Sequence, residues 1–447
     1  QAYQEVHKNI LIKGIEELHP FLLSLNKEIW FDSKNHSYKF IKNFVDKGVK
    51  FKDTLENPID KIWKRKASSP RGASETFDFK LAGESVKSKL NKVYKYLEEE
   101  KADALFIFDT TDVSWIFNIR GKFLQNTPTA PFFGIIKYAS REAYFSDSAT
   151  PINKLLTLDD IKDIEAKKIL VPNKISHFIY SQLSLKMEVI FEKEDFIASL
   201  KIIKTESEIE CIKKAHEQDA KALKEFAEFL KTLASRETSL HNKREDNLSV
   251  GSEATEFTLG QKLFELRKKQ QGFIEESFPA IVGFKENGAI VHYRAKEDSC
   301  KKIEGEGILL VDSGGQYYNE ELKIAGTTDV TRTFYIGNNP SAKQKRIYTL
   351  VLKGHIALAK AVLPEGTIGS SLDVLARQFL WNEGLNYNHG TGHGVGFFLS
   401  VHEAGGFSKN SQMPLKAGMI ISNEPGCYLE NEFGIRFESL MLIKKSE

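Results

Sequence analysis

The octapeptide HGTGHGVG, residues 389–396, sets two histidines four apart among four glycines, in a chain with only 11 histidines among 447 residues. Imidazole ligates metals and moves protons near neutral pH, and glycine lets backbone approach a crowded site. Four carboxylates stand in equally unusual company. GILLVDSGG places Asp312 at the end of one apolar run, and GTTDVTRT sets Asp329 inside another. MIISNEPGCY carries Glu424 and GIRFESL carries Glu438. Burying any of these unpaired costs several kcal/mol, and only Arg332 and Arg436 stand near them in sequence. A pair of divalent ions removes the deficit. Carboxylates bridging two ions about 3.5–4 Å apart, with one imidazole, hold a hydroxide between the metals. One histidine of the octapeptide would then ligate while the other stays free for proton work. Each element alone is weak, because an Asp at a strand end usually caps a turn and these glycines do not open a helix in the dinucleotide manner. Their ordered succession carries the information.

The elements that must position these residues follow from periodicity. Between about 75 and 200, helical and strand patterns alternate, which predicts an α/β domain. LAGESVKSKLNKVYKYLEEE reads as an amphipathic helix and ADALFIFD as a buried strand, with further strands in PFFGIIKYA, REAYFSD and KKILVP. TTDVSWIFNIRG reads as a strand edge packed by Trp115 and Phe117, with a functional loop as the alternative. A second unit begins near Lys204, where Thr205 and Glu208 have capping-box spacing ahead of the stripe Ile209, Ile212, Ala215 and Leu223. The polar stretch SRETSLHNKREDNLSVGSEAT reads as an exposed loop between helices. From about residue 275, short β-branched and aromatic runs, GAIVHYRA among them, predict strands, with one helix over RIYTLVLKGHIALAKAVL. The expected fold class is therefore α/β followed by α+β.

Composition narrows the partners. Sixty-three Lys and Arg against 61 Asp and Glu leave a net charge of +2, so no global field points to nucleic acid or an acidic membrane surface. No run of about eighteen apolar residues predicts a membrane span. Three widely spaced cysteines fit neither a disulfide framework nor a thiolate metal site, and a reducing compartment is the expectation. The chain starts with Gln and lacks the pattern of a secretory signal, so its amino terminus is expected to be processed or incomplete.

The succession VDSGGQY, GTTDVTRT, HGTGHGVGFFLSVHE, SNEPGCY and GIRFES closely resembles the catalytic domain of the aminopeptidase P family, the Xaa-Pro aminopeptidases among the pita-bread metallopeptidases. The resemblance extends upstream through NPIDKIW, DVSWIFNIRG, SFPAIVGF and NGAIVHYRA. It implies creatinase-like α/β amino-terminal domains followed by a pita-bread catalytic domain: a remnant of a first α/β domain over 1–70, a second over 71–203 and the catalytic domain over 204–447. It implies metal ligands at Asp312, Asp329, His393, Glu424 and Glu438, with Asp329 and Glu438 bridging. His389 would then be the free imidazole beside the substrate. His292 and His402 would flank the scissile bond and the proline pocket, and Arg436 would orient a ligand carboxylate from behind.

The implied activity is removal of an amino-terminal residue that precedes proline. An Xaa-Pro bond is a tertiary amide with no N–H and a restricted φ, so it needs a dedicated pocket. Glu424 is the expected base for the bridging water, and His292 or His402 the expected oxyanion donor. Mn²⁺ is the favoured ion, with Zn²⁺ and Co²⁺ as alternatives. The family further implies a cytoplasmic homodimer acting on peptides. Competing readings are a prolidase or methionine aminopeptidase of the same fold, and a non-catalytic binding module. The segment YYNEELKIAG inserts about six residues relative to the family pattern and is expected to lengthen a hairpin without moving the ligands. The chain also stops nine residues after Glu438, short of the segment with which relatives continue.

Overall fold

The computed structural model describes residues 12–54, 57–62, 76–130, 133–145, 164, 166–239 and 254–446. They form two compact units, one from parts of 1–70, 90–113 and 131–196, the other from parts of 71–89, 114–130 and 197–447.

In the first unit a five-stranded sheet runs in the order Ala143–Phe145, Gly134–Lys137, Ala104–Ile107, Lys168–Val171, Glu188–Phe191. The last three strands are parallel and the first two antiparallel additions. The run ALFI at the centre is buried at all four positions, as a strand covered on both faces must be. Its core is completed by Ile169, Val171, Ile179 and Leu183.

The second unit is mostly antiparallel. Ile281–Phe284, Gly307–Ser313 and Val330–Ile336 form one sheet, and Glu403–Phe407, Gly392–Gly394, Ile420–Asn423 and Ser439–Leu442 another. A hairpin of Gly426–Leu429 with Phe433–Arg436 stands beside them. Helices Glu206–Ser239 and Glu256–Lys268 bury Phe226, Leu230, Leu259 and Leu263 against Val282, Leu309 and Val311 of the first sheet. Helices Ala342–Ala359 and Ser370–Trp381 pack with each other, and Leu358, Leu372 and Ala376 meet Phe407 and Ile421 of the second. Each such fully buried side chain contributes about 1.5–3 kcal/mol, so both sheets are backed firmly enough to serve as rigid platforms.

The predicted capping box is present: the Thr205 N–H donates to the Glu208 carboxylate (2.8 Å), and the Glu208 N–H to the Thr205 hydroxyl (3.2 Å). The segment YYNEELKIAG lies in a hairpin between Gly315–Asn319 and Ile324–Thr327. Three expectations need correction. TTDVSWIFNIRG is not a strand edge throughout: Thr110–Ile116 is helical, because the Asp109 carboxylate accepts from the Thr111 N–H (2.8 Å) and starts a turn; only Ile119–Gly121 is strand. GAIVHYRA is not a strand. The buried Glu256 carboxylate gathers the Phe284 N–H (2.7 Å), the Asn287 amide (3.0 Å), the Tyr293 hydroxyl (2.7 Å) and the Lys301 N–H (2.8 Å), and this folds the segment into turns after the 3₁₀ helix Lys285–Ala289. The polar stretch expected as a loop from residue 235 instead continues the long helix to Ser239, and 240–253 lies outside the described residues.

Candidate metal centre

Asp312 occupies the buried strand Gly307–Ser313, in register with Thr331. Asp329 follows Thr328, which is pinned on three bonds. The Thr328 N–H donates to the Gly315 carbonyl and its hydroxyl accepts from the Gly315 N–H, both at 2.8 Å, while its carbonyl accepts from Ser277 Oγ at 2.8 Å. A side chain at Gly314 would run into that carbonyl and into Ser277 Oγ, so DSGG needs its glycine to bring Asp329 toward Asp312. His393 lies in Gly392–Gly394, where any Cβ at Gly392 would meet the Ser422 carbonyl oxygen. Glu424 follows Ile420–Asn423 and donates its N–H to the Thr391 carbonyl (2.8 Å). Glu438 follows Phe433–Arg436 and donates its N–H to the Thr331 carbonyl (3.2 Å). Five side chains from distant segments therefore converge.

Their electrostatics are lopsided. Ligand atoms of Asp329, His393 and Glu438 all lie within 4.8 Å of one another. His393 Nε2 stands 3.4 Å from Asp329 Oδ2 and 3.4 Å from Glu424 Oε1. Its Nδ1–H donates to the Gly394 carbonyl at 3.0 Å, which turns Nε2 toward the carboxylate oxygens. Asp312 Oδ1 and Glu438 Oε1 are buried with no hydrogen-bond partner among the described residues. Burial, followed by the neighbouring Asp312 and Glu424 charges, holds the Asp329 carboxyl far above its usual range. Burial and the Asp329 and Glu424 charges do the same to Glu438. Burial raises Glu424 as well, against the opposing pull of His393 and Arg436. A cluster of buried carboxylates and one imidazole nitrogen, two of its oxygens without a donor among the described residues, fits divalent cations with oxygen-dominated ligation.

Arg436 backs the cluster from the far side. Its Nη2 donates to Asp312 Oδ2 (2.5 Å), its Nε to Thr331 Oγ1 (3.2 Å) and its Nη1 to the Tyr428 hydroxyl (2.7 Å). Thr331 Oγ1 donates onward to Glu438 Oε2 (2.8 Å). Ser422 Oγ accepts from the His393 N–H (2.9 Å) and donates to Glu424 Oε1 (3.0 Å). Sequence reading missed Thr331, Tyr428 and Ser422. Thr331 was legible in principle, two residues from Asp329 at strand period.

His389, expected as the imidazole that stays off the metal beside a substrate, has partners at both ring nitrogens. Its Nδ1 stands 2.8 Å from the Gly390 carbonyl and its Nε2 2.8 Å from the Tyr428 hydroxyl. Nδ1–H therefore donates, and Nε2 accepts from Tyr428. Burial, helped by the Arg436 charge, pushes its pKa down to about 4. The His402 ring lies 4.2 Å from that of His393; one edge opens to solvent, yet burial of the remainder, with the His393 and His292 charges, also lowers its pKa to about 4. His292 is exposed on the turn that Glu256 organises, near enough to depress both imidazoles.

Comparison with known proteins accords with this geometry. The sequence profile of metallopeptidase family M24 matches residues 210–445, and that of the creatinase/prolidase N-terminal domain matches 64–208. A protein named "Probable Xaa-Pro aminopeptidase P" from Botryotinia fuckeliana is 35% identical over 421 residues, covering 88% of this chain and 61% of that protein. "Aminopeptidase P1" of Lotus japonicus is 30% identical over 490 residues, covering 95% of this chain and 73% of that protein. The crystal structure of X-prolyl aminopeptidase from Caenorhabditis elegans, described as a cytosolic enzyme with a di-nuclear active site, superposes with a TM-score of 0.80 at 25% identity, over 98% of this chain and 72% of that one. The chain spans less than two thirds of the length of several fungal relatives it matches. The expected creatinase-like and pita-bread combination, mixing helix and sheet, is borne out.

Proposed function

Because this chain belongs to metallopeptidase family M24, we propose that it is a metal-dependent aminopeptidase that removes the amino-terminal residue from peptides with proline in second position. The observation that carries this reading is the convergence of Asp312, Asp329, His393, Glu424 and Glu438, with one buried oxygen each of Asp312 and Glu438 lacking a donor among the described residues. The names borne by the relatives from Botryotinia and Lotus supply the substrate class.

These five residues would hold two divalent ions, Mn²⁺ first and Zn²⁺ or Co²⁺ as alternatives. When bound, such ions supply Lewis-acid activation of water and of the scissile carbonyl near neutral pH. Glu424 takes the proton from the attacking water and returns it to the proline nitrogen. Its raised pKa brings it closer to the range in which a carboxylate both accepts and releases a proton. His402, held neutral, and His292 donate to the oxygen on which charge develops. Arg436 and Thr331 keep the Asp312 and Glu438 carboxylates aimed. His389 acts through the Tyr428 hydroxyl it orients. We further propose a cytoplasmic homodimer, and a division into a first α/β remnant over 1–70, a creatinase-like domain over 71–203 and a catalytic domain over 204–447.

The test is hydrolysis of Xaa-Pro-Pro-Ala, Xaa-Ala-Pro-Ala and the dipeptide Xaa-Pro, after chelation and again after Mn²⁺ is restored. Release of the first residue from the Pro-Pro peptide alone, lost on chelation and recovered with Mn²⁺, is the expected result. Cleavage confined to the dipeptide would convert the reading to a prolidase, and cleavage of the alanine control alone to a general aminopeptidase.

A further inference from the structure

We infer that Arg120 is a positioning residue that fixes the turn at residues 396–400 and so holds His402 against His393; the inference rests on the peptidase reading above. Arg120 is only 1% exposed, in the strand Ile119–Gly121. Its Nε donates to the Phe398 carbonyl (2.6 Å) and its Nη2 to the Phe397 carbonyl (2.8 Å). Nη1 donates to the carbonyls of Ser114 (3.0 Å) and Ile119 (2.9 Å). All four bonds end on neutral peptide oxygens. The carboxylates of Glu208 and Glu403 act only at longer range, and burial pulls the guanidinium pKa down to about 9. A buried cation without a bonded carboxylate is an expensive way to stabilise a core that an apolar side chain would fill. Its geometry therefore points to a local purpose.

That purpose is the backbone it grips. Phe398 has φ +48°, a left-handed conformation that costs a bulky residue about 1–2 kcal/mol and persists only where the surroundings over-determine it. Here they do. The Thr327 hydroxyl accepts from the Leu399 N–H (3.2 Å), Gln316 Nε2 donates to the Leu399 carbonyl (2.8 Å), and the Gly396 N–H donates to the Ser400 carbonyl (3.0 Å). This strained turn carries the chain from the strand bearing His393 back to His402, whose ring comes to rest 4.2 Å away. A planar guanidinium fork holds two successive carbonyls in one fixed direction, which an ammonium on a flexible stem does not.

The test uses Arg120→Lys and Arg120→Met in the full chain with Mn²⁺, measuring kcat and KM on Xaa-Pro-Pro-Ala together with bound metal. We expect kcat to fall about ten- to hundredfold with little change in KM or metal content. In a His402→Gln background the further loss should vanish, because both changes act on one group. Unchanged kcat per folded molecule, with only a lower melting temperature, overturns the proposal, and so does full additivity with His402→Gln. If the Arg120 variants do not fold, Thr327→Val loosens the same turn at constant shape; a smaller, equally non-additive loss of kcat supports the proposal, and none overturns it. A parent chain inactive on proline peptides defeats the peptidase reading instead. The positioning role is then read from the histidine imidazole ¹⁵N spectrum, in which Arg120→Lys must move the His402 signals and leave those of His355 in place. Unmoved His402 signals overturn it.

Discussion

At the residue scale, acceptors outnumber donors at the centre of the catalytic unit. Asp312 and Glu438 each bury an oxygen that accepts from no donor among the described residues, and His393 Nε2 stands 3.4 Å from two carboxylates. Such groups are costly when charged, and a bound cation or a proton removes that cost. Glu424→Gln keeps a ligand oxygen but removes the base, and is expected to lower kcat by about 10²–10⁴; full turnover of that variant with both ions bound would contradict its role. The four carboxylates stood out as candidates because each interrupts an apolar run, and the family resemblance added His393 and implied the ligand set. Tyr428 and Ser422 did not stand out, since a hydroxyl beside a strand end has many uses and only the fold reveals what it touches. The first unit offers a separate test of burial. Burial, reinforced by the Asp195 charge, raises the Glu192 carboxyl to about 8, whereas the unfolded chain releases that proton near the ordinary value of 4.5. Between these values the folded state holds the extra proton, so stability is fully present below the window and falls as pH rises through it. Urea unfolding from pH 5 to pH 8 should show a loss on the order of 1–3 kcal/mol, and Glu192→Gln should flatten it.

At the element scale, the site depends on close strand approaches and on a segment from far upstream. Residues 76–89 and 114–130 fall within the stretch matched by the creatinase/prolidase profile, yet pack into the unit that carries the metal centre. Phe79, 2% exposed, fills a core cluster with Ile212, Val395, Phe397 and Phe398, and its ring lies 4.2 Å from the Arg120 guanidinium carbon. Phe79→Ala should destabilise this unit by about 3–5 kcal/mol, measured by denaturant unfolding; a change under about 1 kcal/mol would show that the cluster does not bind the segment in. Periodicity reached the long helices and the buried strands, ALFI and GILLVDS among them. It failed at TTDVSWI, where β-branched and aromatic residues read as strand while the Asp109 cap set a helix. It failed again at GAIVHYRA, whose conformation is dictated by a buried Glu256 some thirty residues upstream.

At the scale of the whole molecule, the second unit brings five candidate ligands together from separated segments, so the proposed chemistry needs both of its main sheets to have formed. In the sequence these residues were marked as candidates by the fixed succession of their five motifs. That succession could not convey that 76–89 and 114–130 fold with the metal centre, since that grouping depends on contacts distant in sequence. The proposed homodimer predicts the mass of two chains in light scattering. The central claim, that Asp312, Asp329, His393, Glu424 and Glu438 together hold two divalent ions, is tested most directly by calorimetric titration of the chelated chain with Mn²⁺, beside Asp329→Ala and His393→Ala. Two ions bound per parent chain, with binding to both variants weakened or lost, is the predicted result. Fewer than two ions in the parent, or undiminished binding in both variants, would contradict it.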